Sequence, residues 1–435
     1  MALVVRRALT AVRAALADTR VVVVVGARQA GKSTLARQLM RATPNARERR
    51  LDEPGELAAA RADPVGFVRH EGLLVVDEVQ RAPELLLPIK AIIDDDPAPG
   101  RFLLTGSARL LGLRSLPDAL VGRTETIELW PFSQGEIDQT PDSFVEEAFG
   151  AVDPDEAFSR FRSWGTDPIA DTMIERVVRG GFPEAVVRTE GRRRRFFTAY
   201  INDLVDRDVT QLADITRRDD LHRLLRALAA RTAQLLPVNG LAEELGMAAT
   251  TVKRYVSLFE EVFLVRRLAA FFPAGATRAT RQQKLIFVDT GIAAHLRGHG
   301  TARLARDRVS LGPLVENLLL GELARQVALS DEVLSLRHYR TRDGAEVDGV
   351  IEHADGRVVG VEVKAAETVR ASDFGHLRHL QRRLGDRMLL GVVLHLGQTV
   401  ASFGPGLWAL PADVVWRGAH SRPGGPVKTG AGTQP

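Results

Sequence analysis

The residues with the clearest chemical potential lie near the amino terminus, in the stretch from Gly26 to Ser33. This stretch fits the pattern GxxxxGK[ST], follows the apolar run Val21–Val25 and precedes the helix-like TLARQLMRA. Glycines let the backbone curl so that its N–H groups face phosphate oxygens, and the following helix adds positive potential at its start. We therefore expect Lys32 to reach the β- and γ-phosphates of ATP and the Ser33 hydroxyl to hold Mg²⁺. The predicted nucleotide-binding residues are Gly26, Ala27, Arg28, Gln29, Ala30, Gly31, Lys32, Ser33 and Thr34.

A pair of acids follows a later apolar run. Leu73–Val76 is typical of a buried strand, and Asp77 and Glu78 come directly after it. Phosphoryl transfer needs a carboxylate near the metal and a group that orients the attacking water. The sequence predicts these roles for Asp77 and Glu78, respectively; a strand that merely ends in two solvated acids is the alternative.

Two further positions offer polar or positive groups to the γ-phosphate. The next apolar run ends in Thr105, Gly106 and Ser107, and the sequence does not choose between the Thr105 and Ser107 hydroxyls. Charge that develops in the transition state calls for an arginine, often one from a neighbouring subunit. Arg123, just before the strand-like TETIEL, is the first candidate and Arg109 the second. A plain turn and a surface arginine are the alternatives.

A helix–turn–helix pattern occupies the middle of the chain. Leu241–Met247 is a short amphipathic run closed by Gly246, and Ala249–Phe259 is a second amphipathic run. Apolar residues recur at helical spacing in the second run and turn its polar face outward. That face suits DNA, although a hairpin that only packs against the rest of the protein shows the same pattern. The predicted DNA contacts are Thr250, Thr251, Lys253, Arg254 and Ser257.

An acidic and basic constellation lies nearer the carboxyl end. Asp348 sits in AEVDGVI, a turn at ADG follows, and VVGVEVK carries Glu362 and Lys364 on one strand face. Glu316 lies on an upstream helix. Carboxylates that hold Mg²⁺, together with a lysine that polarises water or phosphate, can hydrolyse a phosphodiester. We expect these four residues to form such a site, with Asp348 and Glu362 as metal ligands; a structural ion-pair cluster is the alternative.

The chain must supply elements that position these motifs. Residues 1–150 alternate apolar runs with helical patterns, which predicts a parallel α/β sheet. Residues 151–235 are predicted to be helical, 236–275 to form the helix–turn–helix with a wing strand, and 276–417 to be mixed α/β with a hairpin near 345–364. Residues 418–435 are rich in glycine and proline and are predicted to be disordered.

The composition is that of a globular protein. The 435 residues are 45% hydrophobic and 26% charged and include no cysteine, which excludes disulfides, thiol catalysis and cysteine-ligated metals. No stretch nears the roughly 20 apolar residues of a membrane helix and no signal-peptide pattern is visible, so we expect a cytoplasmic protein without a membrane partner. The formal net charge is +4 and most basic residues are arginine, which favours partners that carry phosphate.

Taken in order, the motifs resemble those of AAA+ type P-loop ATPases that carry a C-terminal DUF4143 domain. The resemblance covers roughly residues 5–416 and is carried by GARQAGKST, LLVVDEVQ, LLTGS, LVGR with LWPFSQGE, GGFPEA, YINDLVDRDV, KLIFVDTGI, GPLVENLLLGEL, HYRTRDGAEVD and VEVK. It implies an α/β fold class: an AAA+ core, a helical lid-like segment, a winged helix and a C-terminal fold similar to PD-(D/E)xK nucleases. The family's ATPase positions fall on Lys32, Ser33, Asp77 and Glu78, and its nuclease-like positions fall on the four constellation residues. One departure is Val347, where the nuclease pattern often has Pro.

The sequence therefore predicts a DNA-binding AAA+ protein that hydrolyses ATP with Mg²⁺. We expect it to assemble as a homo-oligomer, a hexamer being one form, and to act on duplex or branched DNA, with Mg²⁺-dependent nuclease activity as an addition. The alternative is a nucleotide-switch regulator that binds a protein partner, for example a toxin–antitoxin component, and whose nuclease-like domain is inactive.

Overall fold

Three sheets organise the residues that the structure describes. The computed structural model describes residues 4–106, 120, 122–151, 153–162, 169–209, 218–273 and 282–418. Along the chain, a five-stranded sheet is followed by a three-stranded sheet and then by a six-stranded sheet. No helix among these residues is long and apolar enough to cross a bilayer. The predicted tail lies, apart from Gly418, outside the described ranges.

A parallel sheet forms the first part of the chain. Its strands are β1 (Val21–Gly26), β2 (Arg47–Arg50), β3 (Leu74–Asp77), β4 (Phe102–Gly106) and β5 (Thr124–Leu129). The helices around it are α1 (Ala8–Asp18), α2 (Lys32–Met40), α3 (Pro54–Ala62), α4 (Pro64–Phe67) and α5 (Leu86–Asp95). The strand order is β5-β1-β4-β3-β2, so β4 separates the strand before the Gly-rich loop from the strand that ends in Asp77.

The valines of β1 explain why this strand is central. Each is at most 2% exposed, and alternate side chains lie on opposite faces of the sheet. Val22 and Val24 pack with Leu35 and Leu39 of α2, whereas the other valines pack with the helices of the opposite face. Strands covered on both faces are continuous apolar runs. The four strands predicted from such runs, at Val21–Val25, Leu73–Val76, Arg101–Thr105 and Glu125–Leu129, are confirmed to within one residue at each end. The sequence did not predict β2, because its charged residues lie at an edge of the sheet.

A helical segment follows the first sheet. Its helices are α6 (Gln134–Asp138), α7 (Phe144–Gly150), α8 (Pro154–Arg162), α9 (Ala170–Arg179), α10 (Pro183–Val186), α11 (Glu190–Asp203) and α12 (Arg218–Ala230), and a π-helical turn spans Leu204–Val209. The apolar sides of these helices join the core of the first sheet in one continuous cluster. This packing places α10 and α11 beside the Gly-rich loop.

Two helices and three short strands form the middle of the chain. They are α13 (Val238–Leu245), α14 (Ala249–Glu261), β6 (Gln234–Leu235), β7 (Val265–Leu268) and β8 (Lys284–Phe287). Gly246 ends α13 in the left-handed conformation (φ 65°) that the turn requires. β8 pairs antiparallel with both β6 and β7. The domain boundary predicted at residues 275/276 therefore falls between two paired strands.

A mixed sheet forms the last part of the chain. The elements are α15 (Thr290–Leu296), α16 (Thr301–Arg306), α17 (Arg308–Ala328), β9 (Leu334–Arg340), β10 (Glu346–His353), β11 (Val358–Lys364), α18 (Gly375–Leu384), β12 (Met388–His395), β13 (Ala401–Gly404) and β14 (Leu407–Pro411). The order is β13-β14-β12-β11-β10-β9, and the predicted hairpin is the antiparallel pair β10/β11. We call α17 and the elements after it the C-terminal module. α17 packs on one face of its sheet and α18 on the other.

Candidate functional site

The Gly-rich loop joins β1 to α2 in a conformation that needs its glycines. Gly26 has φ 153°, and a Cβ there would lie 2.1 Å from the carbonyl oxygen of Leu129. Gly31 has φ 103° and directly precedes α2, which begins at Lys32. The free N–H groups at the start of α2 and its dipole therefore face the space above the loop, as a phosphate site requires.

Lys32 folds back over the loop. Its Nζ donates to the carbonyl oxygens of Gly26 and Ala27, both at 3.0 Å, and the residue is 6% exposed. Burial lowers the pKa of Lys32, and the negative charges of Glu78 and Asp77 only partly oppose this effect. A triphosphate would supply the negative charge that this buried ammonium lacks.

Asp77 connects the loop to the ends of two strands. Ser33 Oγ donates to Asp77 Oδ2 at 2.8 Å, and the Thr105 hydroxyl donates to Asp77 Oδ1. Thr105 is the last residue but one of β4, which lies beside β3, so strand order brings the two side chains together. A hydroxyl and a carboxylate are oxygen ligands that suit Mg²⁺. The residues at this position therefore fit the Mg²⁺ that usually accompanies ATP.

Glu78 is held in an unusual backbone conformation next to this network. Its φ of 60° is left-handed, and its N–H donates to Thr105 Oγ1 at 3.2 Å. The Gln80 side chain donates to the Glu78 carboxylate. Such strain is often found where a side chain must be aimed. The sequence did not choose between the Thr105 and Ser107 hydroxyls. Thr105 contacts Asp77 in the structure, whereas Ser107 lies outside the described residues. Arg109, the second candidate arginine, also lies outside them.

A cleft of about 980 Å³ opens above the loop. Gln29 and Lys32 line its floor, and Pro183, Arg188 and Tyr200 line the opposite wall formed by the helical segment. The predicted residues Arg28, Ser33, Thr34 and Glu78 also line it. The wall residues Pro183, Arg188 and Tyr200 were not among the predicted site residues, although the Gly180-Gly181-Phe182-Pro183 stretch indicates a turn.

One buried aspartate positions the loop that carries Pro183. Asp289, 1% exposed, accepts the Gly181 N–H at 2.6 Å and the Ile292 N–H at 3.1 Å, and so caps α15. A Cβ on Gly181 would lie 2.1 Å from the Phe132 carbonyl oxygen, so this position needs glycine. The cleft wall therefore depends on a residue just after β8.

Arg6 supports the loop from below. Its side chain is buried, Nη1 donates to the Ala30 carbonyl at 2.7 Å, and Nε pairs with Glu136 at 3.0 Å. Its Nη2 donates to the Trp130 carbonyl at 2.6 Å. This role was not predicted, because a lone arginine near the amino terminus belongs to no local motif.

Arg123 does not line the cleft in the described part of the chain. Its Nε pairs with Asp94 of α5 at 2.7 Å, and its side chain is 30% exposed. The Arg123 side chain is thus partly exposed.

The polar face of α14 exposes three of the five residues predicted to contact DNA. Thr250, Lys253 and Arg254 are exposed, whereas Thr251 and Ser257 are half-buried. The apolar side of the helix packs into the core through residues that include Val252, Val256 and Phe259.

The acids of the C-terminal module surround a residue that sequence analysis did not consider. Lys284 Nζ donates to Glu316 Oε1 at 2.5 Å and to Asp348 Oδ1 at 3.0 Å, whereas Lys364 pairs with Glu362 at 3.0 Å. Within the described ranges, no group of three or more His, Asp or Glu side chains is arranged to hold a metal ion. Lysine ammonium groups thus contact both of the expected metal ligands, Asp348 and Glu362, whose role as ligands stays a prediction.

The first sheet and its loop define a class of protein. A phosphate-binding loop between a central parallel strand and a helix, with a carboxylate at the end of another strand of the same sheet, is the arrangement of a P-loop ATPase. Family models agree: an AAA domain matches residues 18–138, a domain of unknown function (DUF8612) matches 170–303 and a domain of unknown function (DUF4143) matches 311–415.

The family follows from curated relatives. "Uncharacterized protein Rv2008c" of Mycobacterium tuberculosis (strain ATCC 25618 / H37Rv) is 30% identical over 417 residues, which cover 94% of this chain and 84% of that protein. "Uncharacterized protein Mb2031c" of Mycobacterium bovis (strain ATCC BAA-935 / AF2122/97) matches with the same identity and coverage. The chain belongs to this family of AAA-domain ATPases with a C-terminal DUF4143 domain, which confirms the resemblance seen in the sequence.

Two solved structures are similar over most of their own length. The Walker-type ATPase PABY2304 of Pyrococcus abyssi is 14% identical to this chain. The match covers 66% of this chain and 94% of that structure, with a TM-score of 0.40. The RuvB Holliday junction branch migration motor of Thermotoga maritima is 20% identical to this chain. That match covers 59% of this chain and 84% of the RuvB chain, with a TM-score of 0.26.

Proposed function

We propose that the protein is an AAA+ ATPase that binds duplex or branched DNA through α14 and couples ATP hydrolysis to that contact. The observation that carries this proposal is the outward face of α14. Lys253 and Arg254 are both exposed, and neither forms an ion pair with another described residue. Lys253 and Arg254 lie on the second helix of a helix–turn–helix, with the paired strands β7 and β8 beside it. Two exposed cations without an ion-pair partner among the described residues suit a DNA phosphate backbone or groove.

ATP hydrolysis follows from the residues around the loop. Lys32 would exchange its carbonyl contacts for the β- and γ-phosphates, and Glu78 would orient the attacking water. Ser33 and Asp77 would hold Mg²⁺, which neutralises charge that builds on the phosphates. Thr105 supports this arrangement, because its hydroxyl fixes the Asp77 carboxylate and accepts the Glu78 N–H.

We further propose that the active form is a homo-oligomer in which Arg123 serves the site of a neighbouring subunit. The surface position of Arg123, away from the described lining of its own cleft, supports this role. An arginine supplied across a subunit boundary stabilises transition-state charge and makes turnover depend on assembly. Hydrolysis per subunit would then rise with protein concentration.

The test is an ATPase assay across protein concentrations, with no DNA and with single-stranded, duplex or four-way-junction DNA. We expect salt-sensitive DNA binding that weakens in the double variant Lys253→Ala/Arg254→Ala, because fewer counterions are released. The matched control is Arg192→Ala/Arg195→Ala, which removes two exposed charges from α11. Equal DNA affinity of the two double variants, or no affinity of the native protein for any DNA, would refute the DNA-binding proposal.

A second candidate function is favoured by Lys284. Lys284 contacts acids of the C-terminal module that a nuclease would use to hold a metal. A module of this kind suits binding rather than cleavage, as in a nucleotide switch that binds a protein partner. Nuclease activity stays a prediction, and the contacts of Lys284 weigh against it. In this case nucleotide would change affinity for a protein, while the Lys253/Arg254 variant would leave function intact.

A further inference from the structure

A single buried lysine stands among the acids of the C-terminal module. Lys284 begins β8, and its side chain is 1% exposed. Its Nζ lies 2.5 Å from Glu316 Oε1, 3.0 Å from Asp348 Oδ1 and 3.5 Å from Glu346 Oε1. A strand of the middle sheet, the helix α17 and the strand β10 therefore meet around one positive charge.

These contacts occupy both carboxylate oxygens of Asp348, which a divalent cation at this centre would need. Mg²⁺ takes oxygen ligands at about 2.0–2.1 Å in nearly octahedral geometry. Asp348 Oδ1 faces Lys284, and Asp348 Oδ2 accepts the Val363 N–H at 2.9 Å. Glu362 Oε1 accepts from Lys364, whereas Glu362 Oε2 has no hydrogen-bond partner among the described residues. Because both Asp348 oxygens are engaged, the residues present do not fit Mg²⁺ as long as Lys284 keeps its place.

Positive groups already contact the acids of this cluster. Lys284 Nζ lies within 3.5 Å of Glu316, Glu346 and Asp348, and the Arg340 guanidinium pairs with Glu346 at 2.7 Å. A divalent ion added beside these cations would meet like charge in a buried place.

The backbone holds Lys284 in position. Asn317, next to Glu316 on α17, bonds both the N–H (2.7 Å) and the carbonyl (2.8 Å) of Phe287, the last residue of β8. Because β8 is only four residues long, fixing Phe287 fixes the start of the strand as well. Glu316 and Asn317 therefore dock one strand through two adjacent side chains.

We propose that Lys284 is a built-in substitute for the divalent cation at this acidic centre. The centre then joins β8 to the C-terminal module and binds no catalytic Mg²⁺. The same carboxylates would form a divalent-cation site once the ammonium is removed, with Glu316, Glu346 and Asp348 as its ligands.

The test is Mn²⁺ binding to the whole chain, measured by calorimetry and by electron paramagnetic resonance. All proteins carry Asp77→Asn and are free of nucleotide, so that the ATP site does not contribute. The variant is Lys284→Met, which keeps the length of the side chain and removes its charge. The matched control is Lys364→Met, which removes the other lysine that contacts a carboxylate of this region.

We expect the Asp77→Asn protein and the Lys364→Met control to bind no Mn²⁺ at the C-terminal centre. We expect Lys284→Met to gain one Mn²⁺ site that neither of these two proteins shows, since carboxylates suit this ion. Mn²⁺ should raise the melting temperature of Lys284→Met alone, and an added Asp348→Asn should abolish the gain.

Either of two results would overturn the proposal. One is Mn²⁺ binding by the Lys284-containing protein that disappears on Asp348→Asn, because the centre would then accept a metal beside the lysine. The other is a folded Lys284→Met protein that gains no affinity. If Lys284→Met does not fold, the proposal is decided by Mn²⁺ binding to the Lys284-containing protein with and without Asp348→Asn.

Discussion

Replacing Asn317 by alanine removes three hydrogen bonds from a buried place. Asn317 is 1% exposed; its Oδ1 accepts the Thr232 hydroxyl (2.5 Å) and the Phe287 N–H (2.7 Å), and its Nδ2 donates to the Phe287 carbonyl (2.8 Å). β7 lies beside Phe287 on one side, whereas β6 on the other side pairs with Lys284 and Leu285 alone. On that second side Asn317 takes the place of a neighbouring strand at Phe287. The alanine variant leaves both Phe287 backbone groups without these partners.

The magnitude follows from these two groups. A buried polar group left without a partner costs about 1–3 kcal/mol, so we expect Asn317→Ala to lose roughly 2–6 kcal/mol of unfolding free energy, with the Thr232 hydroxyl free to rotate. Urea denaturation followed by circular dichroism measures this loss. Val309→Ala on the same helix is the control, because Val309 is 88% exposed and its truncation should change stability by less than about 0.5 kcal/mol. A loss below about 1 kcal/mol for Asn317→Ala would refute the docking role of this side chain.

Three further predictions concern the cleft and its surroundings. Gly181→Ala should destabilise the protein by roughly 1–3 kcal/mol and weaken nucleotide binding, because its Cβ would strike the Phe132 carbonyl; Gly191→Ala, with nothing within 4 Å, should be neutral in the same melts and titrations. Arg188→Ala should raise the KM for ATP by about tenfold through loss of a cation from the cleft wall, while Arg192→Ala should not. Burial raises the pKa of Asp142 to about 8, so the native state holds an extra proton between about pH 4 and pH 8 and loses stability as pH rises. Asp142→Asn should remove up to about 1.4 kcal/mol per pH unit of this slope between pH 5.5 and 7.5, and an unchanged slope in urea denaturation would contradict the assignment.

The sequence by itself determined the parts of the molecule that are local. The loop from Gly26 to Ser33 carries its own glycines, lysine and hydroxyl in one stretch, so its conformation and place between β1 and α2 are confirmed. Strands covered on both faces appear as apolar runs, and the helix α14 shows its buried and exposed sides through helical spacing. In each case the residues that interact lie within a turn or a strand of one another.

Only the tertiary structure decided which distant groups meet. The order of strands selected Thr105 as the partner of Asp77, and the helical segment placed Arg188 opposite the loop. Glu316 was correctly grouped with Asp348, but the cation between them is Lys284, which is 32 and 64 residues away from them along the chain. A sequence pattern shows that a side chain is buried, whereas its partner depends on how whole elements pack. Because a buried charge must be balanced by whichever group packing brings to it, that partner could not be read from the residues alone.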